Sequence, residues 1–188
     1  MCPRENDNDM SKPKWWYQGW ADSEIREYAS SGGAASAIIR TFIKNGGYVA
    51  SCLFDSGKFV FEVTNEMAVA RKFAGSKYVK SNPEKIYGKI QSLLKANQKV
   101  LFIGLPCQVA AVNQFIKDKT NLVTADLICH GTPSPYLLKK CLQEYGHDIN
   151  TLTDINFRIK SLYELNRDGK PIAAFHTMDN YLIAFLHS

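Results

Sequence analysis

The 188-residue chain has no Cys-x-x-Cys pair, no Gly-x-Gly-x-x-Gly, no P-loop and no dense Lys/Arg cluster. It also has no apolar run of the roughly 18 residues that a membrane-spanning helix needs. The first absence excludes a self-contained zinc knuckle or thioredoxin-type motif by local spacing. The next two give a Rossmann-type or P-loop nucleotide site no support. The scattered basic residues sum to a net charge of +5. That excess permits anionic ligands such as phosphates but does not point to nucleic acid. The N-terminal "MCPRENDNDM" has no apolar core, so it does not read as a secretory signal. Five cysteines (2, 52, 107, 129 and 141) make an odd count in a chain that reads as cytoplasmic. Reduced thiols or metal ligation are favoured over a disulfide framework.

What is present suits one well-buried domain: 45% hydrophobic and 22% charged residues, near the globular average. Residues 1–27 read as a tail, polar and then aromatic in "SKPKWWYQGW", and residues 28–188 as an α/β domain. "ASSGGAASAIIRTFIKNGG" predicts a helix capped by Ser30 or Ser31 and stopped by Gly46 and Gly47. "YVASCLFD" (48–55) and "KFVFEVT" (58–64) read as strands joined at Ser56-Gly57. A short helix in "NEMAVARKF" and a loop in "GSKYVKS" follow. Then comes a helix with Asn82 as cap and Pro83 at its first position. "KVLFI" (99–103) is a continuous apolar run, as in a strand covered on both faces. After it come a helix in "QVAAVNQFIKD", a strand in "NLVTADLI" and a helix capped by Ser134 with Pro135 first. "TLTDINFRIK" and "PIAAFHTM" read as two last strands around "NRDGKP". The alternation predicts an α/β fold: a central, mostly parallel sheet flanked by helices, with antiparallel hairpin additions.

Cys107 in "LFIGLPCQVAAV" and Cys129 in "NLVTADLICHG" each follow a strand expected to be the other's parallel neighbour. Ligands of open α/β sheets bind beyond the carboxyl ends of the strands. Both thiols then share a rim, about one strand spacing (~5 Å) or two apart. That suits two ligands of one metal centre. The alternative is two buried thiols, since free cysteine is among the most buried residue types. Gly104 and Gly131 allow close backbone approach, and Pro106 fixes the loop. Cys52 and Cys141 read as core fillers, and a Cys107 nucleophile paired with His130 stays open. "SSGG" (Ser30, Ser31, Gly32, Gly33) at a helix start offers backbone N–H groups and hydroxyls to an anion. "GSKY" (Gly75, Ser76, Lys77, Tyr78) offers a cation, a hydroxyl and a ring. A capped helix and a plain turn are the alternatives for these two.

"SSGGAASAI", "AGSKYVKS", "VLFIGLPCQVAAV" and "DLICHGTPSP", in this order and spacing, resemble the coenzyme F-420 hydrogenase/dehydrogenase beta-subunit family. The likeness runs from about Tyr28 to Tyr145, and more weakly to about Leu186. It implies an electron-transfer module with FAD and a 4Fe–4S cluster. Cys107 and Cys129 correspond to cluster ligands, and the "SSGG" and "GSKY" loops to flavin-side loops. Lys77 would face an anionic part of the flavin. The resemblance further implies a redox partner protein or domain and a small-molecule electron donor or acceptor. Cys2-Pro3 resembles the end of a ferredoxin-like segment. The family's remaining cluster ligands have no counterpart before Ser188, so the expectation for this chain alone is no intact cluster. Two other readings stand beside the oxidoreductase: a non-catalytic module that docks to a redox partner, and a Cys-nucleophile enzyme.

Overall fold

The structure is a computed structural model that describes residues 12–83, 85–159 and 162–172, together with residues 181, 183 and 185. Its first two helices are α1 (Ser23–Arg26) and α2 (Ala34–Lys44). They lead into β1 (Tyr48–Asp55) and β2 (Lys58–Thr64), antiparallel through a turn in which Ser56 and Gly57 both take positive φ. Next come α3 (Met67–Ala70), a 3-10 turn (Arg71–Phe73) and α4 (Ile86–Lys95). The parallel part follows as β3 (Val100–Gly104), α5 (Pro106–Phe115) and β4 (Leu122–Asp126). The sheet order is β2-β1-β3-β4, with β1, β3 and β4 parallel.

All five residues of β3 are buried because the sheet is covered on both faces. Val100 and Phe102 pack with Ala50 and Phe61 against Ile86 and Ile90 of α4 and Val109 and Val112 of α5. Leu101 and Ile103 point the other way, with Val49 and Leu53, onto Ile39 of α2, Ala70 of α3 and Phe73. The continuous apolar run of "VLFI" is the sequence image of this two-sided burial.

A second core lies beside the first. It joins α6 (Pro135–Glu144) to a three-stranded antiparallel sheet, β5 (Ile155–Ile159), β6 (Leu162–Arg167) and β7 (Lys170–Pro171). Leu138, Leu142, Phe157, Leu165 and Tyr181 fill it, and Phe59 enters it from β2. The α/β class with antiparallel additions is thus observed.

Some boundaries move. The α2 cap is Gly33, not Ser30 or Ser31; its φ of +77 is a left-handed conformation that a side chain resists. A Cβ there would also lie 3.2 Å from that of Ala21. Helix α4 starts at Ile86, not Pro83, because Asn82 is held extended in a parallel bridge to Val60 of β2. Strand β4 is shorter than "NLVTADLI", and as an edge strand it leaves Val123 exposed. The polar "LYELNR" forms β6, which the sequence reading missed. The turn at Asp168-Gly169 joins β6 to β7, where the reading had placed the last hairpin between its two final strands. The rest of "PIAAFHTM" (173–178) lies outside the described residues, as does Cys2. Helix α6 starts as expected, with Ser134 Oγ accepting from the Tyr136 N–H. Cys141 is buried on that helix; Cys52 is half-buried between the two cores. Residues 12–20 form no helix or strand, and Trp15, Trp16, Tyr17 and Trp20 are exposed.

Candidate functional site

Strands β3 and β4 end together: Gly104 pairs with Asp126, and the Leu127 N–H donates to the Gly104 carbonyl. From that contact the two chain segments diverge. Leu105 caps α5, Pro106 fills its first position, where no N–H is needed, and Cys107 stands second and exposed. On the other strand Ile128, Cys129 and His130 follow, all exposed, with the His130 ring edge-on to Phe185 at 5.7 Å. The two thiols therefore leave one hydrogen-bonded junction from neighbouring strand ends. Burial pushes the Asp126 carboxyl at this rim up. Among the described residues no three His, Cys, Asp or Glu side chains converge on one point. Among the described residues the rim offers two thiols, Cys107 and Cys129, the donor type that ligates an iron–sulfur cluster.

Gln108 sets the Cys107 loop. Its Oε1 accepts from the Leu105 N–H at 2.9 Å, and its Nε2 donates to the carbonyl and Oγ of Ser81, both at 3.2 Å. The loop is thereby tied to "GSKYVKS". Gly104 makes room: a Cβ there would lie 2.8 Å from Phe102 Cε1 and 3.1 Å from Gln108 Oε1. Burial raises the Cys52 thiol, opposed by the Lys77 charge and a hydrogen bond with Ser81.

A cavity of about 900 Å³ opens between the two cores. Ser30, Gly75, Ser76 and Lys77 line it together. Ser30 Oγ accepts from the Ser76 N–H at 2.8 Å and donates to the Arg158 carbonyl at 3.3 Å, which draws both loops to β5. The other expected residues lie elsewhere. Ser31 and Gly32 line a separate hollow beside Trp20 and Arg26. Gly33 caps α2. Tyr78 turns inward: its ring stacks on Phe185 at 4.3 Å, and its carbonyl accepts from the Tyr181 hydroxyl.

Lys77 does not project freely. Its Nζ donates to the carbonyls of Phe73, Ala74 and Gly75 at 3.1, 2.8 and 3.1 Å, which engages all three of its donors. The sequence reading missed Arg71, Lys72, Asn156 and Arg158 on the cavity wall. For the β5 pair the signal is alternation: Ile155 and Phe157 are buried, so Asn156 and Arg158 face the opposite side. Arg71 and Lys72 sit just before "AGSK", yet only the 3-10 turn brings them to the wall.

Burial holds the Lys77 amine down to about 8, against the opposing pull of Cys52 and Asp154. Its ordinary value is near 10.4. Between these values the unfolded chain binds more protons than the folded one, so this group's contribution to stability rises with pH. Lys77→Met should remove that slope. Urea midpoints of wild type minus variant should increase from pH 7.5 to pH 10; a constant difference counts against a lowered Lys77 pKa.

Comparison with known proteins places the chain. Residues 97–182 match the family described as the C terminus of the coenzyme F420 hydrogenase/dehydrogenase beta subunit. This segment is similar to that family. It contains β3 to β7 with both rim cysteines, whereas the "SSGG" and "GSKY" loops precede it. A chain from a xenon-derivatised structure of the F420-reducing [NiFe] hydrogenase complex of Methanosarcina barkeri is similar in fold, with a TM-score of 0.64 and 17% sequence identity. The likeness covers 89% of this chain and 60% of that one. No curated protein matches. Among the described residues no helix is long and apolar enough to cross a membrane.

Proposed function

We propose that the chain is a domain of a flavin- and iron–sulfur-dependent oxidoreductase. It would pass electrons between a reduced cofactor, deazaflavin-like or other, and a 4Fe–4S cluster. The observation that carries this reading is the placement of Cys107 and Cys129. Both are exposed at the carboxyl ends of adjacent parallel strands, inside the segment that matches the family. The 900 Å³ cavity lined by Ser30, Gly75, Ser76 and Lys77 supports a flavin site, at the upper end of the range for small-molecule sites (roughly 300–1,000 Å³).

In this reading the chain supplies position and the cofactors supply the redox chemistry: flavin divides a two-electron transfer into single-electron steps. Cys107 and Cys129 would supply two thiolate ligands of the cluster at the rim, and Gln108 keeps the Cys107 loop in place. The Ser30–Ser76 bond fixes the cavity wall, and Arg71, Lys72 and Arg158 on that wall would hold the anionic part of the flavin. Lys77 holds the loop through its three carbonyls.

The test is iron content and visible absorbance of anaerobically purified full-length protein. Cys107→Ser and Cys129→Ser should each abolish the broad iron–sulfur absorbance. Unchanged iron in both variants sinks the assignment. Exposed Trp15, Trp16, Tyr17 and Trp20 favour a second reading, a module that docks to a redox partner, because aromatic residues are enriched in interfaces. A colourless protein that still binds such a partner would support it.

A further inference from the structure

A second cavity, of about 490 Å³, lies on the other side of the β1–β2 hairpin tip. Asp55 and Ser56 line the larger cavity and Gly57 to Phe61 this one, while Asn150 borders both. Lys58, Lys80, Lys85 and Lys139 all line it. They come from the start of β2, the loop after Tyr78, the residue before α4 and the second turn of α6. No carboxylate lines it among the described residues. Among the described residues none of the four ammonium groups is in an ion pair; the pairs there are Arg40–Glu24 and Lys89–Glu62. Four like charges facing one volume repel each other, so an anion placed among them is attracted by all four.

Phe59, Phe61 and Ile86 line the cavity but are almost wholly taken up by the cores, so its accessible apolar surface is the Tyr136 ring, 66% exposed, with Pro135 beside it. A bare phosphate would leave this apolar surface wet. A molecule with a flat ring and a chain of phosphates would satisfy both the ring and the lysines, and the cavity's volume suits a mononucleotide. We propose that this cavity binds a small polyanion of the nucleoside polyphosphate kind, with its ring against Tyr136 and the phosphates among the lysines. The site is separate from the cysteine rim and uses no residue of it.

The experiment is calorimetric titration of the full chain with ATP, pyrophosphate and adenosine at low and physiological ionic strength. ATP should bind saturably and more weakly at the higher salt, because exposed charges are screened within about 8 Å. Pyrophosphate should compete with lower affinity, and adenosine alone should be weaker than ATP by at least tenfold. Lys80→Glu/Lys139→Glu should weaken ATP at least tenfold. The charge-matched control Lys44→Glu/Lys95→Glu, at exposed positions on α2 and α4, should change it less than twofold. All four positions are exposed, so folding is not at stake, and far-ultraviolet circular dichroism checks it. The proposal is overturned if ATP does not bind, or if the control weakens it as much as the test pair. It is also overturned if pyrophosphate binds as tightly as ATP, or if the protein instead binds RNA that ATP does not displace.

Discussion

Phe102→Ala should destabilise the protein by about 3–5 kcal/mol, the usual cost of emptying a phenylalanine site in a core. Phe102 sits at the centre of β3, the inner strand between β1 and β4, and is 0% exposed. Its ring stacks on Phe61 with centroids 5.4 Å apart and planes 11° from parallel, and α4 and α5 close over it. None of these elements can collapse into the space alone, because each also packs on the others. Against a total stability of about 5–15 kcal/mol, the loss is a large fraction. Urea unfolding, followed by two probes to check for a single transition, measures it. A loss below about 1.5 kcal/mol would mean that the ring is not the keystone of this layer.

Gly104→Val should be nearly as damaging, and its effect should reach Cys107. The new Cβ arrives 2.8 Å from the Phe102 ring and 3.1 Å from Gln108 Oε1. The ring is enclosed and has nowhere to go. Gln108 is buried and held by three hydrogen bonds, so it is the group that must leave. Overpacking costs about 1–3 kcal/mol. Loss of the Gln108 contacts leaves the Leu105 N–H without its partner and removes two hydrogen bonds to Ser81, for about 1–3 kcal/mol more. Since Gln108 adjoins Cys107, iron content should fall even where the variant is still folded. A double-mutant cycle isolates the cause. Gly104→Ala should cost at least about 1 kcal/mol less in a Phe102→Ala background, because the ring it strikes is gone. Strict additivity of the two substitutions would remove the clash as the explanation.

Local chemistry made much of the fold legible. Ser134 and Pro135 specify the start of α6 by themselves, because a cap and a first-turn proline act within four residues. Ser56-Gly57 likewise specifies the turn between β1 and β2, and the apolar run at 100–103 announces a strand covered on both faces. Where a distant segment intervenes, the reading slips. Asn82 looks like a helix cap but is taken by Val60, twenty-two positions earlier. "LYELNR" carries too little apolar alternation to declare itself, and becomes β6 because β5 and β7 pair with it on either side.

The candidate site divides the same way. The sequence by itself determined that Cys107 and Cys129 each follow a strand, because strand, turn and helix signals are written within a dozen residues. Only the tertiary structure decided that those strands are neighbours meeting at Gly104 and Leu127, and that Gln108 reaches Ser81. It also turned Tyr78 inward, surrounded Lys77 with carbonyls, and gathered four lysines scattered over eighty positions around one cavity. Side-chain contacts of this kind depend on which segments pack together, and burial on every face at once decides that packing.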